Sequence, residues 1–206
     1  MFQDAEADAK QVERGREEGN YLMGTDQLGR DLWSRLAYGA RVSLTVAAVS
    51  LVSGTLIGTA LGLISGWYGG LIDEFITRVV DVWMGLPFIL VALVIAVVLG
   101  SSLLTVFVLL ALLAWTPFVR QIRAEVLSLR SREYVLAAQV SGSSTVRILM
   151  RHLLPGVMNT IIVIATFRIG QLILIEAFLS FLGAGIPPPT PAWGGMISDG
   201  RGYLRD

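Results

Sequence analysis

Charged residues vanish from long stretches of this chain. None occurs from Val42 to Ile72 or from Val82 to Val119, and Leu153 to Ser198 contains only Arg168 and Glu176. A helix needs about 20 mostly apolar residues to cross the hydrocarbon core, at about 1.5 Å per residue. The first stretch fits one span near 43–65. The second is too long for one span and divides at Gly100-Ser101-Ser102, which predicts spans near 84–100 and 103–119. The third predicts a span near 157–182. The expected fold class is all-α: a polytopic transmembrane helical protein with about four spans.

Composition sharpens this picture. Apolar residues make up 54% and charged residues 16% of the 206 positions, against about 25% charge in a soluble domain. Sixteen Lys+Arg balance sixteen Asp+Glu, so the basic face that a general nucleic-acid binder needs is missing. With no Cys there is no thiol chemistry, and one histidine, His152, cannot build a multi-histidine zinc site. The only lysine is Lys10, so the chain has no phosphate-binding loop ending in Gly-Lys-Ser/Thr. No Gly-x-Ser-x-Gly occurs, and the predicted spans hold no aspartate. No catalytic residue and no cofactor is assigned to this chain.

Arginines set the expected orientation. The stretch 120–152 carries Arg120, Arg123, Arg130, Arg132, Arg147 and Arg151 and is expected in the cytoplasm, with 66–83 as a second cytoplasmic loop. Residues 1–20 form a polar, flexible N-terminal segment and 21–41 an external amphipathic one. The transmembrane domain occupies 42–206, with 183–206 as an external loop. Nothing in the polar N-terminus would carry it outward, which points to a piece of a longer protein.

Three groups of residues carry the functional expectations. Ser50, Gly54, Gly58, Gly62 and Gly66 recur every four positions, so they share one helix face. Small residues at that spacing let a neighbouring helix approach closely in lipid. Arg168 and Glu176 lie inside the last span, where charges face a cavity or a partner. They are expected on a shared face, two turns apart, as candidate pathway residues. The stretch 120–155 is expected to be a helix over Arg132–Val140, a turn at Ser141-Gly142-Ser143-Ser144, and a short basic helix capped by Ser144 and lying along the membrane. Pro155 then opens the last span. Such a bent element looks like a docking knob for a cytoplasmic partner.

The spacing Leu136-Ala137-Ala138, Gly142, Leu154-Pro155 resembles the EAA motif of ATP-binding cassette (ABC) importer permeases. Leu136 stands where that family usually has Glu, and His152 where it has Ile. Gly24-Thr25-Asp26-Gln27-Leu28-Gly29-Arg30-Asp31 with Tyr38-Gly39-Ala40-Arg41 resembles the segment before the second span of dipeptide/oligopeptide/nickel-type permeases. Glu176-Ala177-Phe178-Leu179-Ser180-Phe181-Leu182-Gly183, with Pro188-Pro189-Thr190-Pro191 and Trp193-Gly194, resembles the end of the fifth span and the loop after it. The resemblance covers about 21–206. It implies the type I importer permease fold, lacking the first and last of six spans, in a bacterial or archaeal cytoplasmic membrane.

That resemblance implies a lipid-embedded subunit that moves peptides, nickel or a related solute. Its implied partners are a second homologous permease, two ATPase subunits that bind ATP and Mg, and an external substrate-binding protein. Leu136, Ala137, Ala138, Gly142, Arg147, Arg151, Leu154 and Pro155 would form the contact with the ATPase. The competing expectation is an ATP-independent secondary transporter or channel, in which Arg168 and Glu176 form an ion relay.

Overall fold

The computed structural model describes residues 21–26 and 28–201. The polar segment 1–20 and the last residues of the loop expected outside, 202–206, lie outside the described residues. Eight α-helices follow in order among the described residues: α1 Leu32–Tyr68, α2 Gly70–Gly85, α3 Phe88–Leu99, α4 Leu103–Leu129, α5 Glu133–Val140, α6 Thr145–Ile148, α7 Leu154–Phe181 and α8 Trp193–Gly200. A π-helical turn, Leu149–Leu153, joins α6 to α7.

Helix α1 is longer than its charge-free stretch predicts. Asp31 caps it, its carboxylate accepting from the backbone N–H groups of Trp33 and Ser34, which satisfies two of the orphan donors at a helix start. Residues 32–41 of the expected external segment therefore belong to α1.

The small-residue face of α1 lies against α4. A methyl group added at Gly62 would stand 2.8 Å from Ile122 Cβ, and one at Gly66 2.7 Å from Val126 Cβ. At Gly54 it would run into Ala114, and at Gly58 into the Trp115 carbonyl and Phe118. Ser50 continues the face, its hydroxyl donating to the Phe107 carbonyl at 3.4 Å. Gly54 pairs with Ala114, Gly58 with Phe118, Gly62 with Ile122 and Gly66 with Val126, a constant separation of sixty. Only parallel helices keep a constant separation.

Parallel packing dictates the rest of the topology. The chain leaves α1 at one end of the pair and enters α4 at the other, so α2 and α3 together must return across the layer. They do so as a pair bent by 84°. This corrects the straight span expected over 84–100: α3 has 12 residues, about 18 Å, too short for a core of about 30 Å. The break falls at Leu86-Pro87. Proline forces the preceding residue out of the helical region, and Leu86 is extended, with φ −82° and ψ 133°. Among the described residues three helical runs are long and apolar enough to cross a membrane, and the bent pair counts as a fourth if taken as one broken span.

The stretch 66–83 is correspondingly not a loop. Two of its acids, Asp73 and Asp81, lie on α2 and face the arginines that prolong α4 beyond the predicted end at 119. Arg123 pairs with Asp73, and Arg120 pairs with Asp81 at 2.7 Å.

Helix α7 runs antiparallel to α4. Gly156 packs on Leu129, the Thr160 hydroxyl bonds to the Glu125 carboxylate, and an Arg168 Nη donates to the Leu113 carbonyl at 3.1 Å. Residues 145–181 form one continuous 37-residue helical run, which corrects the separate basic helix expected along the membrane. Pro155 lacks an N–H, and its ring would clash with the Arg151 carbonyl in a regular α-helix. The π turn absorbs that clash: the Leu154 N–H bonds five residues back, to the Leu149 carbonyl.

Gly58→Leu should break the α1–α4 contact, because the side chain would meet backbone that cannot yield. The expected cost is about 3 kcal/mol or more, read as a lowered melting temperature in detergent. Gly170→Ala is the control, since a Cβ there meets nothing within 4 Å. A Gly58→Leu variant as stable as the parent would contradict this packing.

Candidate functional site

One end of the bundle carries a bent knob. Helix α5 closes in a turn that satisfies its last carbonyls. The Ser143 N–H bonds to the Ala138 carbonyl at 3.1 Å and the Gly142 N–H to the Gln139 carbonyl at 3.0 Å. This pairing is the Schellman motif, which needs a left-handed residue after the helix cap. Gly142 supplies it with φ +75°. Ser144 then stands at the N-cap of α6, although its side chain makes no capping bond.

Apolar side chains anchor the knob. Val135, Ile148 and Leu153 are buried against Leu63, Phe118, Ile122 and Val126, with Ala138 and Leu154 packed at the edge. The opposite side is free. Leu136, Val140, Val146 and Met150 are exposed, Val140 by 90%. Ala137, Gly142, Arg147, Arg151 and Pro155 are exposed beside them. Arg147 and Arg151 have no ion-pair partner among the described residues. His152 rests on Tyr134, the ring centroids 6.2 Å apart. The face is thus an apolar patch flanked by cations, stiffly mounted on the α1–α4 pair.

Arg168 and Glu176 do not come together. The Arg168 guanidinium donates to Gln171 Oε1 at 2.5 Å and to the Leu113 carbonyl at 3.1 Å. It lines a cavity of about 240 Å³ between α2, α3, α4 and α7. Glu176 is fully buried. One of its oxygens accepts from the Ser180 hydroxyl at 2.8 Å, and that hydroxyl accepts from the Ile186 N–H at 3.3 Å. Glu176 therefore holds the turn after α7 rather than facing open space.

The other end of the bundle is closed by the two outer segments. Trp193 at the start of α8 donates from its indole to the Leu36 carbonyl at 3.1 Å, and Gly194 lies on Ala177 and Ser180 of α7. Asp26 accepts from the backbone N–H groups of Leu28 and Arg30 and pairs with Arg30 and Arg35. Burial opposes ionisation of Asp26, but the Arg30 bonds outweigh it and hold the carboxyl below its ordinary range. Arg35 also reaches Asp199 at 3.4 Å, tying the segment before α1 to α8.

Sequence reasoning missed the pairs that join α2 to α4. Asp73 and Asp81 are eight residues apart and Arg120 and Arg123 three apart, spacings that put each pair on one helix face once 70–85 is read as helical. No group of three acids or histidines among the described residues is placed to hold a metal ion.

Comparison with known proteins fits this geometry. The family described as "Binding-protein-dependent transport system inner membrane component" matches residues 58–204. The dipeptide transport system permease protein DppC of Alkalihalophilus pseudofirmus is 42% identical over 90% of this chain and 61% of its own length. The oligopeptide transport system permease protein OppC of Bacillus subtilis (strain 168) is 40% identical over 88% of this chain and 59% of its own. The glutathione transport system permease protein GsiD of Pectobacterium atrosepticum is 40% identical over 88% and 60%. The chain thus spans about 60% of the length of the curated relatives it matches. Among solved structures, a chain of the MetNI methionine ABC transporter in an inward-facing form superposes with a TM-score of 0.62 at 21% identity. The superposition covers 84% of this chain and 82% of that one, a likeness of fold.

The knob's turn makes its own prediction. A Cβ at Gly142 meets nothing within 4 Å, so the penalty for substitution is conformational rather than steric. Gly142→Val should cost about 1–3 kcal/mol, whereas Gly142→Asn, which tolerates the left-handed region, should cost less. Limited proteolysis at the turn measures both. Equal protection of the Val and Asn variants would show that the turn does not need its positive φ.

Proposed function

The chain belongs to the family of binding-protein-dependent transport system inner membrane components, and on that premise we propose that it is a permease subunit of an ABC importer. It would work in the cytoplasmic membrane of a bacterium or archaeon. With a second homologous permease it forms the translocation pathway. Two ATPase subunits bind ATP and Mg, and an external binding protein delivers the solute. Dipeptide, oligopeptide and glutathione permeases among its relatives support a peptide cargo.

The observation that carries this reading is the knob. Residues 136–155 form a stiff, bent element whose outer face is apolar and flanked by Arg147 and Arg151. This chain has no nucleotide-binding loop, so the energy for transport must arrive mechanically. A rigid protrusion anchored to the spans is what such a contact requires. We place this end of the bundle in the cytoplasm, where ATP is found, and the end closed by α8 outside, towards the binding protein.

The relay reading is not favoured. Arg168 bonds to neutral acceptors, and Glu176 is enclosed and bonded to Ser180. Among the described residues neither side chain bonds to another titratable group.

The test uses the importer assembled with its ATPase subunits. Arg147→Glu combined with Arg151→Glu should weaken ATPase retention about tenfold, the equivalent of ~1.4 kcal/mol lost from two reversed interfacial charges. Gly142→Val should leave the subunits associated but lower the solute moved per ATP hydrolysed. Co-purification and uptake in reconstituted vesicles measure both. Normal assembly and normal coupling in both variants would remove the knob from this role.

A further inference from the structure

Arg168 sits in the middle of the bundle. Its partner Leu113 on α4 lies level with Ser53 on α1 by the sixty-residue register, near the centre of the span expected over 43–65. A charge at that depth is costly and needs a cavity or a partner. Among the described residues Arg168 has no ion pair. Its two bonds go to neutral oxygens, and its Nε is buried without any acceptor.

The side chain is nevertheless held in place by the helix beside it. Pro117 lies within α4 and has no N–H, so it cannot bond to the carbonyl four residues back. That carbonyl belongs to Leu113, and Arg168 donates to it. The proline thus frees the acceptor that orients the guanidinium. Beyond Arg168 lies the cavity of about 240 Å³, walled by Trp83, Met84, Phe88, Val91 and Thr116 at the break between α2 and α3. Among the described residues Arg168 is the only charged one lining it. The volume is below the about 300–1,000 Å³ of a drug-sized ligand site, so it suits one end of a solute rather than a whole one.

An unneutralised guanidinium at the edge of an aromatic and aliphatic cavity suits an oxyanion with an apolar group beside it, and a carboxylate next to a side chain is one that a solute supplies. The planar fork of Arg pairs with a carboxylate through two parallel bonds, and Trp83, Met84 and Phe88 would cover the apolar group. We propose that this cavity is a subsite of the translocation pathway that takes the C-terminal carboxylate, with its adjoining side chain, of the passing solute. The proposal rests on the importer reading above and narrows its cargo to solutes with a free carboxylate.

Trp83 in the cavity wall reports occupancy without any transport step. The assembled importer in phosphatidylcholine nanodiscs is titrated with leucyl-phenylalanine and with its C-terminal amide while tryptophan emission is followed. The response should appear with the free carboxylate at a concentration at least about tenfold lower than with the amide, and should vanish in W83F. Arg168→Gln should abolish this discrimination, and Arg168→Lys, which keeps the charge but not the fork, should restore part of it. Retained discrimination in Arg168→Gln, or no Trp83 response to either compound, would overturn the proposal. Repeating the titration with phosphatidylglycerol separates solute from lipid: an unchanged response is expected, and its loss would assign the cation to a lipid headgroup. Because binding is read directly, failure of ATP-driven uptake would strike the importer reading and leave this result intact.

Discussion

The structure depends on one close contact, that of the glycine face of α1 with α4. In lipid, tails are as apolar as leucine, so helices gain little by hiding apolar surface from them. Association instead comes from backbones near enough for many short-range contacts, and Gly54, Gly58, Gly62 and Gly66 remove the side chains that would prevent it. Their partners Ala114, Phe118, Ile122 and Val126 share the same four-residue step. Two ridges of equal period fix a single register. That register is parallel, and parallel helices demand an intervening return, which the bent α2–α3 pair supplies. With the return in place, α7 has only the antiparallel direction left to it.

The same pair organises both ends and the middle. At one end Ile122 and Val126 receive Val135, Ile148 and Leu153 of the knob, which is thereby packed directly on the spans. At the other, Val46 and Ala47 join Leu172, Leu179 and the turn after α7, where Glu176 and Ser180 hold the backbone of Ile186. In the middle, Pro117 opens a carbonyl of α4 for Arg168. By contrast, α2 is tied to α4 chiefly through Asp73–Arg123 and Asp81–Arg120. The Arg120–Asp81 pair is exposed and so individually weak, whereas Asp73 is largely buried and also accepts from the Ser65 hydroxyl of α1.

Much of this was legible in the charge pattern, and the exceptions have definite causes. The absence of charge over 42–72 located α1 because nothing in that stretch breaks a helix before Gly69. The break at Gly100 was legible because glycine at φ +80° ends α3 there. The break at Pro87 carried an equally plain signal, but it was hidden by the uniform hydropathy on both sides. Pro155 misled in the opposite direction: it suggested a boundary, and a π turn carries the helix past it. Arg120 and Arg123 suggested the end of a span, yet their charges are met by acids of α2, and the helix runs on to Leu129. The knob's turn was readable from Ser141-Gly142-Ser143-Ser144, whereas the Arg168 cavity was not, because its wall comes from four helices, α2, α3, α4 and α7, whose proximity depends on the α1–α4 register.

That register is the central claim, and the chain's lack of cysteine allows a direct measurement. Cysteines at positions 66 and 126 should join on mild oxidation, since their Cβ positions lie 2.7 Å apart and the helices need to part by only about 1 Å to reach the ~3.5–4.5 Å of a disulfide. In an antiparallel pair the neighbour of position 66 would instead be 114. Rapid disulfide formation by Gly66→Cys with Val126→Cys, and none by Gly66→Cys with Ala114→Cys, is the result this account predicts. Cross-linking of 66 to 114 in place of 126 would contradict it, and with it the return crossing, the direction of α7 and the position of the knob.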